Sequence, residues 1–155
     1  MTSRSHRDEA GFTLVELMVV VLIIAILIAI AIPTFFGLKR RADDVAAKQA
    51  AMLAVKTARS LEDGTYGPVT AAALAASQPG MSFVDGATPS EGPGTVSQEV
   101  VSATTLYVSV YSLAGTCFFV RDQLDAGTTF GSIDPALVPD CTAGNLGPVV
   151  FGPAW

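Results

Sequence analysis

Residues 11–36 read GFTLVELMVVVLIIAILIAIAIPTFF. From Leu17 to Ile32 no side chain is polar or charged, and the 25 residues from Phe12 to Phe36 hold a single charge, Glu16. As a helix that run is about 37 Å long at 1.5 Å per residue. A hydrocarbon core is roughly 30 Å thick. The run is apolar on every side, so as a helix it has no face for water and belongs in a membrane or inside an assembly. Glu16 is the exception. A carboxylate in hydrocarbon costs about 2.5 kcal/mol or more unless it finds a partner or the interface. Two readings stay open: a functional carboxylate, or one that snorkels at the membrane edge.

Gly11-Phe12-Thr13-Leu14-Val15-Glu16 followed by the apolar run resembles the class III signal of type IV pilins and pseudopilins. The resemblance covers about residues 5–40. It implies that a prepilin peptidase cuts between Gly11 and Phe12, that Phe12 is then N-methylated, and that Glu16 is the family's assembly glutamate. Pro33 stands where many family members have a proline. Pro33 and Gly37 are compatible with a helix that loosens during assembly, or with a simple kink at the membrane boundary.

The leader, residues 1–11, is short and polar, with Arg4, His6 and Arg7 offset by Asp8 and Glu9. An ordinary secretory signal is cut after its apolar stretch. No good A-x-A site follows this one, because Ala29 and Ala31 lead into Ile32 and Pro33. A cut before the run keeps the apolar helix on the mature protein as a building element. Orientation is contested. Lys39, Arg40, Arg41 and Lys48 outnumber Arg4 and Arg7 across the run. By the positive-inside rule that count alone puts the C-terminal region in the cytoplasm. The resemblance puts it outside, with the precursor spanning the plasma membrane once and the mature protein in a surface pilus.

Residues 1–60 hold eight Lys or Arg against five Asp or Glu, and residues 61–155 hold one, Arg121, against nine. An acidic C-terminal domain argues against a general nucleic-acid surface. Cys117 and Cys141 are the only cysteines. In a translocated domain they suggest a disulfide closing a loop of about 25 residues, worth about 3 kcal/mol by chain entropy. The alternative is two free buried thiols in a cytosolic domain.

Residues 37–63 continue the helix. They are rich in Ala, Leu, Lys, Gln and Arg, with an apolar stripe of Leu38, Ala42, Val45, Ala46, Met52, Leu53 and Leu61. Asp44 and Lys48 are spaced as an i,i+4 ion pair. Residues 64–95 are a long Gly/Pro-punctuated connection, with a short helix over Val69–Ser77 and a loop tip at residues 87–94. Strands are expected at Val96–Ser102, Thr105–Leu113 and Thr116–Arg121. In the second, Leu106, Val108 and Val110 face one way and Tyr107, Ser109 and Tyr111 the other. Residues 123–148 read as loop, and Val149–Phe151 as a short last strand. The expected fold is α+β. Half of a long helix (residues 12–36) lies in membrane or filament core, and half packs on a small antiparallel sheet within a globular region at 64–155. That arrangement resembles the lollipop shape of pilins.

The single histidine, His6, lies in the leader. Residues 12–155 therefore lack the parts for Ser-His-Asp or Cys-His catalysis and for His-based metal sites. No phosphate-binding loop or dinucleotide fingerprint is present. Asp122, Asp125 and Asp134 lack EF-hand spacing and read as solvated rather than as a calcium site. No enzyme, cofactor or metal is expected. The leading reading is a structural type IV pilus subunit. Its partners are other copies of itself and other pilins, the prepilin peptidase and methyltransferase, the assembly platform with its ATPase, and the membrane before assembly. The alternatives are a pseudopilin of a type II secretion or DNA-uptake system, or a minor pilin acting as an adhesive or DNA-binding tip.

Overall fold

The computed structural model describes residues 12–134 and 140–155. Helix α1 runs Leu14–Leu61, with Pro33 inside it. The chain divides into two compact units, one up to Leu38 and one from Lys39 onward. In the first, every described residue is exposed. Burial begins in the second unit.

There, Ala47, Ala51, Ala54 and Ala58 of α1 have no exposed surface. Their spacing keeps them on one helix face. Ala50 and Val55 complete that buried surface. Of the expected stripe, Leu61 packs on the core, but Leu38 is 62% exposed, Val45 50% and Leu53 39%. The expected Asp44–Lys48 pair is also absent. Asp44 instead accepts a hydrogen bond from the Ser112 hydroxyl at 2.6 Å. The Lys48 ammonium lies 5.0 Å from the centre of the Phe118 ring. The i,i+4 pair that forms is Lys39–Asp43.

Thr70 caps α2 (Ala71–Ser77) by accepting from the Ala73 amide, which starts this helix two residues later than expected. Five strands follow: β1 (Ser82–Asp85), β2 (Thr95–Ser102), β3 (Thr105–Tyr111), β4 (Cys117–Gln123) and β5 (Gly127–Ile133). They lie side by side in chain order. From β2 to β5 the pairing is antiparallel, as expected. β1 corrects the rest of that expectation, since it pairs with β2 in parallel and the sheet is mixed. A parallel pair ordinarily needs a long crossover. Here β1 has four residues, about 13 Å, and the connection at 86–94 needs only to run back that distance.

Val96, Leu106, Val108, Val110, Phe118 and Val120 form a buried core with the alanines of α1. The other sheet face is covered as well. Cys117, Phe119, Ile133 and Cys141 make a second buried cluster, with Tyr111, Leu146, Val149 and Phe151 packed on it. Ser109, expected to face outward with the tyrosines, is therefore fully buried. Tyr107 and Tyr111 are half-buried, and Tyr107 lies against Phe151.

Three further readings of residues 82–152 change. The stretch expected to be loop contains β5, paired with β4 from Cys117↔Ile133 to Gln123↔Gly127. The expected last strand is a single bridge, Phe130↔Gly152. The loop tip at 87–94 is also tied down. Ser90 is buried, its amide donates to the Cys141 carbonyl, and its hydroxyl accepts from the Tyr111 amide. The hairpin turn between β3 and β4 includes Ala114 and Gly115, between the two expected strands, with Gly115 at φ +100°, a conformation glycine adopts at no steric cost.

Candidate processing and assembly site

The first described residues form a closed local arrangement. Thr13 precedes the first helical residue, Leu14, and Glu16 stands three residues after Thr13. The Thr13 amide donates to Glu16 Oε2 at 2.9 Å, and the Thr13 hydroxyl donates to the same oxygen at 2.8 Å. In return the Glu16 amide donates to Thr13 Oγ1 at 3.2 Å. This is a capping box. It satisfies backbone donors that the first turn of a helix leaves open. A carboxylate in the first turn also complements the positive end of the helix dipole. Glu16 thus has a partner on its own chain. The signal for it, Thr-x-x-Glu ahead of an apolar run, is legible in the sequence, although the reading of Glu16 above passed over it.

Phe12 precedes this cap and is 83% exposed. Gly11, on the other side of the expected cut, lies outside the described residues, as does the rest of the leader. Beyond the cap, α1 presents apolar side chains on all sides. It is the one helix among the described residues long and apolar enough to cross a membrane. Residues 6–32 match the prokaryotic N-terminal methylation motif. That motif is the signal of type IV prepilins, and it supports a type IV pilin-like or pseudopilin protein. Such proteins are structural and not an enzyme family. No curated protein and no solved structure gives a match.

Further along the methylation-motif helix, Pro33 and Gly37 are both helical. The Thr34 hydroxyl donates to the Ile30 carbonyl at 2.7 Å. Pro33 has no amide to donate, so the helix lacks one backbone bond at this point.

In the second unit Cys117 and Cys141 form a disulfide. Both half-cystines are buried. The link fastens the segment from residue 141 to β4. Hydrogen bonds repeat the fastening: the Ser109 hydroxyl donates to the Cys141 carbonyl at 3.1 Å, the Ala143 amide to Ser97 Oγ at 3.0 Å, and the Gly144 amide to the Gly86 carbonyl at 2.8 Å.

Asp122 is not a solvated loop carboxylate. It lies on the core face of β4 with no exposed surface. Arg59 of α1 donates to it from Nε at 2.7 Å and from Nη2 at 2.8 Å. The Thr128 hydroxyl donates at 2.6 Å, and the Tyr66 hydroxyl also donates to it. Burial pushes the Asp122 carboxyl up, but the bonds from Arg59, Thr128 and Tyr66 outweigh it and hold the carboxyl below its ordinary value. Burial, reinforced by the bond to Asp122, pushes the Tyr66 hydroxyl well above its ordinary value. The bond to Asp122 also raises Arg59. With its lone pairs committed in this way, Asp122 is unavailable as a calcium ligand. Among the described residues no group of three or more His, Cys, Asp or Glu is placed to hold a metal.

Proposed function

We infer that this chain is a structural subunit of a type IV pilus, made as a membrane-anchored precursor. The observation that carries the reading is the methylation motif at 6–32, whose helical part, residues 14–32, has every apolar side chain exposed. Prepilin peptidase cuts between Gly11 and Phe12, and Phe12 is then N-methylated. An exposed apolar helix is unstable in water, so the mature chain trades lipid for neighbouring copies of the same helix when it enters a filament. The disulfide supports a C-terminal domain outside the cytoplasm, because such bonds persist in oxidising compartments.

Glu16 provides registry in the filament core. Its carboxylate pairs with the ammonium of Phe12 freed by cleavage on a neighbouring copy. A misplaced subunit leaves a buried charge unpaired, which is costly. The capping box supports this role by fixing where the carboxylate stands relative to Phe12. Pro33 and Gly37 are the points at which the helix can bend or extend on leaving the bilayer.

Intact-mass and N-terminal analysis of the chain from a sheared surface fraction tests the reading. The expected product starts at N-methylated Phe12. A chain that keeps residues 1–11 in a host with active prepilin peptidase would overturn it. The apolar run would then be a plain membrane anchor.

A further inference from the structure

Three cations follow the apolar run directly. Lys39, Arg40 and Arg41 stand three to five residues beyond Phe36, and all three are exposed. They are consecutive in α1. At 3.6 residues per turn, their side chains leave the helix about 100° apart and cover a little over half of its circumference. Cations spread over more than one face suit a ligand that surrounds the helix, as lipid headgroups do around the precursor.

The neighbours narrow the role further. Lys39 shares its charge with Asp43 at 3.0 Å. Arg40 borders a polar recess with Asp44, Thr116 and Asp134, where Asp44 Oδ1 is bonded to the Ser112 hydroxyl. Among the described residues Arg40 and Arg41 form no salt bridge. Lys48, the next cation along, is turned onto the rings of Phe118 and Trp155. It belongs to the folded domain and not to this ring of charge.

Depth agrees with the charge pattern. Residues 12–36 rise about 37 Å as a helix, and a bilayer with its headgroups is about 40–45 Å thick. Residues 39–41 therefore come out at headgroup level. We propose that Lys39, Arg40 and Arg41 form a collar that binds the phosphates of anionic lipids where α1 leaves the bilayer. The inference rests on the membrane-anchored precursor argued above. Guanidinium groups suit the partner, because their forked donors match phosphate oxygens. The collar also gives these cations a use on the side of the membrane where the orientation bias disfavours them.

The test is titration of phosphatidylglycerol, with phosphatidylethanolamine as control, into the full chain in detergent, read by native mass spectrometry. Wild type should prefer phosphatidylglycerol, and high salt should weaken the preference. In R40Q/R41Q the affinity should fall roughly 30-fold, with helicity and the disulfide unchanged. Equal affinity in wild type and variant would overturn the collar, as would a wild type without lipid preference. A variant that keeps its lipid but loses self-association would assign the cations to the acidic surface of a second copy and also overturn it. Carbonate extraction separates the two layers of the argument. Release of the wild type from membranes sinks the anchored precursor itself. Retention without lipid preference sinks only the collar.

Discussion

Arg59 grips Asp122 with two nitrogens, Nε on Oδ2 at 2.7 Å and Nη2 on Oδ1 at 2.8 Å. The pair joins the last turn of α1 to the core face of β4. Its two ends differ, since the Asp122 side chain has no exposure and that of Arg59 has 40%. Removing the arginine therefore strands a buried charge, which costs 3–5 kcal/mol in a fully buried pair. Solvent at Arg59 screens part of that, so Arg59→Ala should cost about 2 kcal/mol. Removing both charges while keeping an acceptor for Tyr66 and Thr128, R59M/D122N, should cost less than Arg59→Ala alone. Urea unfolding of the full chain in detergent checks the order, and a double variant weaker than the single would contradict it.

The same cluster sets two pH limits. The Asp122 carboxyl lies below its ordinary value in the fold. Its stabilisation is therefore complete above the unfolded value, near pH 4, and is lost as pH falls through the folded one. The Tyr66 hydroxyl lies above its ordinary value. Its contribution is complete below about pH 10 and is lost as pH rises beyond that. Unfolding midpoints should be level across neutral pH and fall at both extremes. Tyr66→Phe should flatten the alkaline limb while leaving an acid limb, a separation that a general charge effect would not give.

Gly131 of β5 faces the segment that covers the sheet. A Cβ there would meet Val149 Cγ1 at 2.4 Å and the Val150 carbonyl oxygen at 3.0 Å. Gly131→Ala should destabilise the domain by about 1–3 kcal/mol through overpacking. At Gly80 a Cβ would meet nothing within 4 Å, so Gly80→Ala is the control and should change stability by less than half as much. Thermal unfolding of both variants decides the matter.

These contacts also show why the sequence was readable in some places and not in others. The apolar run is marked by its length and composition and the β3–β4 hairpin by its alternation, and both appear as expected. β5 has two glycines and no clean alternation, because Gly131 answers to Val149 and not to a local pattern. β1 is only four residues, too short to show a period. The stripe on α1 misled because large apolar residues dominate a hydropathy count, whereas the packed face is alanine. Asp122 looked like a loop carboxylate because its partner is 63 residues away. At the N-terminus the opposite holds. Thr13 and Glu16 interact over three residues, so their capping box could be read directly from the sequence.

The disulfide ties β4 to a segment that is also held by hydrogen bonds and by the packing of Leu146, Val149 and Phe151. Cys117→Ser with Cys141→Ser should cost about 3 kcal/mol. Because the Ser97 and Ser109 contacts remain, the loss should show first as local opening. Hydrogen exchange at Ala143 and Gly144 should speed up well before the β3 amides do. Uniform acceleration across the domain would mean that the bond supports the whole fold and not this cover.

Glu16 has two tasks in this scheme, and substitutions separate them. Within the chain it caps α1 through the Thr13 amide and hydroxyl. Between chains, by the reading above, it offers a negative charge to Phe12 of a neighbour. Glu16→Gln keeps an acceptor for the cap and removes the charge. Thr13→Val removes the hydroxyl half of the cap and keeps the charge. Glu16→Ala removes both. If charge pairing sets registry, Glu16→Gln and Glu16→Ala should lose filaments alike, while Thr13→Val loses only the cap, about 1 kcal/mol of helix stability. All three should still be cut after Gly11, since the run that holds the precursor in the membrane is intact. Filament yield by shearing, alongside the mass of the membrane-bound chain, reads both tasks at once. Normal yield from Glu16→Gln with failure of Thr13→Val would make the cap, and not the charge, the assembly determinant.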